Sequence, residues 1–295
     1  MIRIKKISAI GWMLLSAFSF ALMAAFSHSV SKSFDWKVVA FARVFINFIF
    51  VSVLALSTGH PLILFSAPRS LWYRSIAGTI SLLAMFYVFS KLPIGEATSI
   101  NNMYPLWMVL LIAVATKEHI PKTIWFSVLC GIAGVFCIQQ PHFAEGNFAV
   151  VVGLLGGFFA AFAVYNLHLT KNLHPTTIVA HFTLIGSVMV FFVMLPSLSS
   201  IFESNRYSLP IILGLIGVGA SGTVAQLSMT RAYMKGNPAI NSTVGLAQVA
   251  FATGLDILIW NRSFDTMTII GILLITIPTT LFVARIQLRN RTQSV

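Results

Sequence analysis

Apolar residues fill this chain in runs of about twenty, and polar residues gather in the short stretches between them. Ten runs stand out, over 8–29, 38–58, 71–91, 95–116, 122–140, 148–170, 176–196, 208–232, 238–260 and 267–286. A helix rises about 1.5 Å per residue, so about 20 residues cross the roughly 30 Å hydrocarbon core of a bilayer. The runs are continuous, whereas a membrane barrel would show alternating segments of about 10 residues. The pattern predicts an all-α integral membrane protein of ten transmembrane helices. The connections are too short to hold a soluble domain.

Two runs are interrupted. Leu92 to Glu118 carries Asn101, Asn102, Tyr104 and Pro105 in its first half. Proline removes a backbone donor and clashes with the preceding turn, which predicts a kink near Tyr104. Asparagine amides facing lipid would go unsatisfied, so they should face protein or a wet cavity. Gly236 to Asn261 is the second such stretch, with Asn241, Ser242, Thr243 and Gln248. Interrupted helices at corresponding positions in two halves are a sequence pointer to a transport site.

Composition agrees with a membrane chain. Of the 295 residues, 57% are hydrophobic and 9% charged, against about 25% charged in soluble domains. Mean hydropathy is +0.89. The net charge of +12 is spread between the spans rather than along one face, which argues against a nucleic-acid partner. With the N-terminus cytoplasmic, the inner side would hold 13 of the 19 Lys and Arg, the outer side 5, and Arg43 would lie inside the second span. That bias predicts both termini in the cytoplasm of a bacterial-type inner membrane. The basic, apolar N-terminus resembles a signal peptide, but its apolar run is long and more spans follow, so it is expected to stay as the first helix. Cys130 and Cys137 lie about 10 Å apart on one helix, too far for a disulfide within it.

The chain also repeats at an offset of about 140. Trp36 to Arg43 aligns with Thr176 to Thr183, and Ala97 to Asn101 with Ala239 to Thr243. The halves are expected at 1–142 and 143–295. Each holds five spans, an odd number, so the second would enter upside down as an inverted repeat. Ala42-Arg43-Val44-Phe45, Gly78 to Leu92, Ala97 to Ile100, Tyr104-Pro105-Leu106, Lys117-Glu118 and Gly134-Val135 resemble the motifs of EamA-like ten-helix carriers of the drug/metabolite transporter superfamily. The second half departs from that pattern at Thr183, Gln248 and Asn261. The resemblance implies that helices 1, 3, 4, 6, 8 and 9 line a cavity, with 2, 5, 7 and 10 outside.

Candidate substrate-binding residues are Asn101, Asn102, Tyr104 and Trp107 on helix 4 and Gln248 on helix 9. Tyr165 and Asn166 on helix 6, Tyr87 on helix 3 and Gln226 on helix 8 complete the set. Amides and hydroxyls would orient a polar solute and aromatic rings would pack its apolar part. The same groups could simply hold helices together. Arg43 and Asp256 are costly in a membrane. Near the outer ends of helices 2 and 9 they could snorkel, or pair as a latch, and Pro105 is a candidate flexing point. Arg74, at the start of helix 3, reads as a topology charge. No phosphate loop, zinc spacing or nucleophile elbow occurs, so neither a cofactor nor a metal is expected.

The expectation is a secondary carrier, not an enzyme, for a small organic metabolite such as an amino acid, an S-adenosylmethionine-like compound or another zwitterionic or nucleotide-like solute. A multidrug or toxic-metabolite exporter with a broad apolar cavity is the alternative, and an intramembrane enzyme a weaker one. The outer faces of helices 5 and 10 are the surfaces on which a homodimer could form.

Overall fold

A computed structural model describes residues 7–30, 33–60, 62–63, 66–91, 100, 102–117, 121–139, 148–170, 172–201, 208–260 and 266–292. All regular structure among them is helical: α1 (Ala9–Val30), α2 (Trp36–Ser57), α3 (Arg69–Lys91), α4 (Tyr104–Thr116), α5 (Lys122–Gln139), α6 (Phe148–Leu169), α7 (Pro175–Met194), a 3-10 segment (Leu195–Ile201), α8 (Leu209–Lys235), α9 (Pro238–Gly245), α10 (Ala247–Trp260) and α11 (Thr266–Thr292). Seven spans are long and apolar enough to cross a membrane, with α9 and α10 counted as one, and three shorter apolar helices accompany them. The chain is an all-helical membrane protein.

Local chemistry sets where the helices begin. Asp35 caps α2 by accepting from Lys37 N at 2.9 Å. Asn237 caps α9 by accepting from Ala239 N and Ile240 N at 2.9 and 3.3 Å. Prolines occupy the first turns of α4, α7, α8 and α9, where no intrahelical donor is lost. Large apolar side chains face outward, as lipid requires: Leu56, Val114 and Leu258 are each more than 70% exposed.

Packing follows the repeat. α1 lies along α8, and α6 lies along α3. α2 contacts α8 as α7 contacts α3, and α1 contacts α10 as α6 contacts α4. Each pair turns into the other when α1–α5 are exchanged with α6–α11. Small residues permit the approach: a Cβ on Gly156 would stand 2.8 Å from Ala84 Cβ, and one on Gly219 would collide with Ile46. On the face where α1 begins, here the near face, the His60 and His174 rings stack at 3.4 Å and Asn241 Nδ2 donates to Ala232 O at 2.7 Å. On the far face Val30, Phe34, Val38 and Met194 form an apolar cluster.

Both interrupted spans are broken. The first has a turn at Asn102–Met103, and α4 starts at Tyr104 with Pro105 in its first turn. The break thus falls beside Tyr104, where the sequence predicts a kink, and Pro105 stands in the first turn that follows it. The second breaks at Leu246, between α9 and α10, where Leu246 N donates to Thr243 O at 3.1 Å and Val249 N to Leu246 O at 3.0 Å. Gln248 therefore sits one residue into a helix start, as Pro105 does.

Candidate functional site

Between the two halves lies a cavity of about 170 Å³. α1 gives it Met13, Ala17, Phe20 and Met23, and α3 gives Arg74, Gly78, Ser81, Leu82 and Met85. Tyr104, Gln226, Met229 and Gln248 come from α4, α8 and α10. Ala160, Ala163 and Val164 of α6 close one side. Helices 1, 3, 4, 6, 8 and 9 of the ten-span count thus line it. Helices 2 and 7, expected outside, contribute one residue each, Arg43 and Phe182.

The broken helices supply two of the polar groups. Tyr104 stands at the start of α4 and its hydroxyl donates to Ser242 O of α9 at 3.3 Å. A side chain at Gly245 would collide with that hydroxyl, so the close approach of α9 to α4 requires glycine there. Gln248 stands at the start of α10.

Arginine dominates the electrostatics. Arg43 and Arg74 are both buried. A charged side chain at the centre of a membrane helix costs about 2.5–3.5 kcal/mol on insertion scales. Arg43 lies over the Phe20 ring at 5.9 Å and Arg74 over the Phe182 ring at 4.3 Å. Arg74 Nη2 also donates to Gln226 Oε1 at 3.4 Å. Gly78 makes this possible, because a Cβ there would overlap the Arg74 guanidinium. Arg74 is therefore a cavity residue, not a surface charge marking topology. The clue in the sequence was its place one turn inside a helix.

Of the candidates from sequence, Tyr104, Gln226, Gln248 and Arg43 meet in the cavity. The other described candidates lie elsewhere. Asn102 is buried in the turn before α4. Trp107 packs edge-on against Phe158 of α6, with ring centroids 5.9 Å apart. Asn166 donates to Phe162 O on its own helix at 2.8 Å, and Tyr165 packs on the core around Leu167. Tyr87 packs with Val88, Ile100 and Ala149. Asn101 and the Asp256 side chain lie outside the described residues. Asn241 ties α9 to the end of α8, and the Ser242 and Thr243 hydroxyls both donate to Ala239 O. Serine and threonine commonly return their hydroxyls to the helix in this way, which is why polarity alone over-predicts a membrane site. Sequence reasoning missed the methionines, because Met is an ordinary core residue.

A partly polar cavity between two related five-helix halves of a membrane bundle is the arrangement of a transporter. The EamA-like transporter family matches residues 7–139 and 147–284, and the chain belongs to that family. It is a transporter, not an enzyme, with a small-molecule substrate and a membrane as its surroundings. It is 26% identical over 211 residues to the pseudopaline exporter CntI of Pseudomonas aeruginosa, covering 69% of this chain and 71% of that one. It is also 26% identical over 213 residues to an uncharacterized transporter of Helicobacter pylori, covering 70% of each. A crystal structure superposes with a TM-score of 0.79 over 93% of this chain and 97% of the other at 15% identity, a likeness of fold alone.

Proposed function

We propose that this protein is a secondary carrier that moves a small polar organic metabolite across the cytoplasmic membrane by alternating access. The observation that carries the reading is the cavity between the halves, where Arg43, Arg74, Gln226, Gln248 and Tyr104 converge. Helix breaks at Tyr104 and Leu246 flank it, where the backbone can shift as one half rocks against the other. The near face is cytoplasmic on the Lys and Arg bias, and the residues of the expected halves 1–142 and 143–295 move as units. The name of the Pseudomonas relative supports export as the direction.

A second reading has one observation in its favour. Met13, Met23, Met85 and Met229 all line the cavity, and methionine surfaces adapt to varied ligands. That suits a multidrug exporter. Two buried guanidiniums oppose it for the cationic drugs such exporters carry. Counterflow in proteoliposomes, with labelled amino acids, organic acids, nucleotides and a lipophilic cation, separates the readings. Exchange of a polar class without the lipophilic cation is expected. Folded protein that exchanges none of them would refute the carrier.

A further inference from the structure

The cavity holds two guanidinium groups and, among the described residues, no carboxylate. Arg43 and Arg74 are 7% and 3% exposed, and both line it. Asp35 is the acidic residue whose side chain is described, and at the far face it accepts from Lys37 N and Ser197 Oγ. Among the described residues, what the arginines meet is weak. Each has an aromatic face, Arg74 has one 3.4 Å bond to Gln226, and Arg74 Nε is buried without a partner. A buried charge persists when something pairs it, and arginine offers five donors in a planar fork that fits a carboxylate.

Their positions say more. Arg43 lies seven residues from the far-face start of α2, and Arg74 five residues from the near-face start of α3. In helices of this length about 15 Å separates their Cα atoms along the bundle. The two side chains reach the cavity from backbones on opposite sides of the bundle's midplane, with Met23, Leu82 and Met85 among the apolar groups lining it. A monocarboxylate would leave one guanidinium unanswered. A phosphate monoester would place its charge at one end. A cation would meet two like charges.

On the carrier reading above, we infer that the transported solute is a small organic dianion with a carboxylate at each end, one held by Arg43 and the other by Arg74. The class includes short α,ω-dicarboxylates and dicarboxylic amino acids. Gln226 and Gln248 provide amides for polar groups along the chain between.

Calorimetric titration of the purified full chain in detergent tests this with glutarate, glutaramide, cadaverine, butyrate and glycerol 3-phosphate. Glutaramide is the neutral isostere and cadaverine the dication of equal length. Glutarate should bind, at least tenfold tighter than each of the others. Arg43→Gln and Arg74→Gln should each raise its Kd by about 10- to 100-fold, the loss expected for a charged hydrogen-bonded contact. Arg43→Lys and Arg74→Lys should recover part of it, which a merely structural role would not give. Equal binding of glutarate and glutaramide by the unmodified protein would overturn the inference whether or not the variants fold. So would no binding of succinate, glutarate, adipate or glutamate. Restoration of glutarate affinity when Asp256→Asn is added to Arg43→Gln would remove Arg43 from the site and overturn the two-ended assignment. Proteoliposomes give a separate result. Glutarate that binds without exchange refutes the carrier and leaves the anion site standing. Leucine or cadaverine exchange without glutarate binding does the reverse.

Discussion

Gly78→Ala probes the Arg74 position without touching a charge. A Cβ at residue 78 would overlap Arg74 Nη1 and stand 3.0 Å from Phe182 Cε2. The nearer atom is the far end of a flexible side chain, so the guanidinium moves and the backbone stays. Arg74 then loses its place over Phe182, worth about 0.5–2 kcal/mol, and its long bond to Gln226, worth about 0.5–1 kcal/mol. The sum is about 1–3 kcal/mol, or about 5- to 150-fold in a binding constant. Against this, alanine favours a helix over glycine by about 1 kcal/mol. The melting temperature should therefore fall by no more than a net loss of about 0–2 kcal/mol allows, while the Kd for glutarate rises about tenfold. Calorimetry and a thermal melt in the same detergent read both. Unchanged affinity at an unchanged melting temperature would show that the Arg74 guanidinium need not sit over Phe182, and the site as described would fail.

Other changes separate the cavity from the scaffold. Gln248→Ala should lower solute exchange in proteoliposomes at an unchanged melting temperature. Asn241→Ala should instead cost about 0.5–1.5 kcal/mol of stability by removing its bond to Ala232 O, which keeps the Gly236 N–H as a partner, with exchange per folded molecule retained. Asn237→Ala removes the cap of α9 and should cost about 1 kcal/mol in a denaturation series. At the near face, partial burial first, then His60 and Arg231, hold the His174 imidazole below its ordinary value of 6.5. The folded value lies below the unfolded one, so this contribution is present above about pH 6.5 and is lost as pH falls through the folded value. The melting temperature should fall more steeply below pH 6.5 in the unmodified protein than in His174→Gln. Equal slopes would show that the imidazole stack does not matter to stability.

The ten spans, their helical nature and the two interrupted stretches were legible in the sequence. Each depends on local composition over about twenty residues, and lipid leaves the backbone few alternatives to a helix. The exchange of α1–α5 with α6–α11 in the packing agrees with the repeat read from Trp36–Arg43 and Thr176–Thr183. The lining was less legible. Asn166, Asn241 and Thr243 are as polar as Gln248, yet each spends its hydrogen bonds on a helix, and only the neighbours of a side chain in three dimensions decide that. Arg74 reads as a surface charge from its distance to the helix end. It becomes a cavity group because Gly78 vacates space beside it and Phe182, about a hundred residues away, supplies the aromatic face. Pro105 forbids an interior helix donor in sequence, and the fold turns that constraint into a helix start. Local composition was enough to make this chain a helical membrane protein with two interrupted spans. That those breaks, two arginines and two glutamines meet at one cavity depends on which helix lies against which, and no local stretch of sequence carries that.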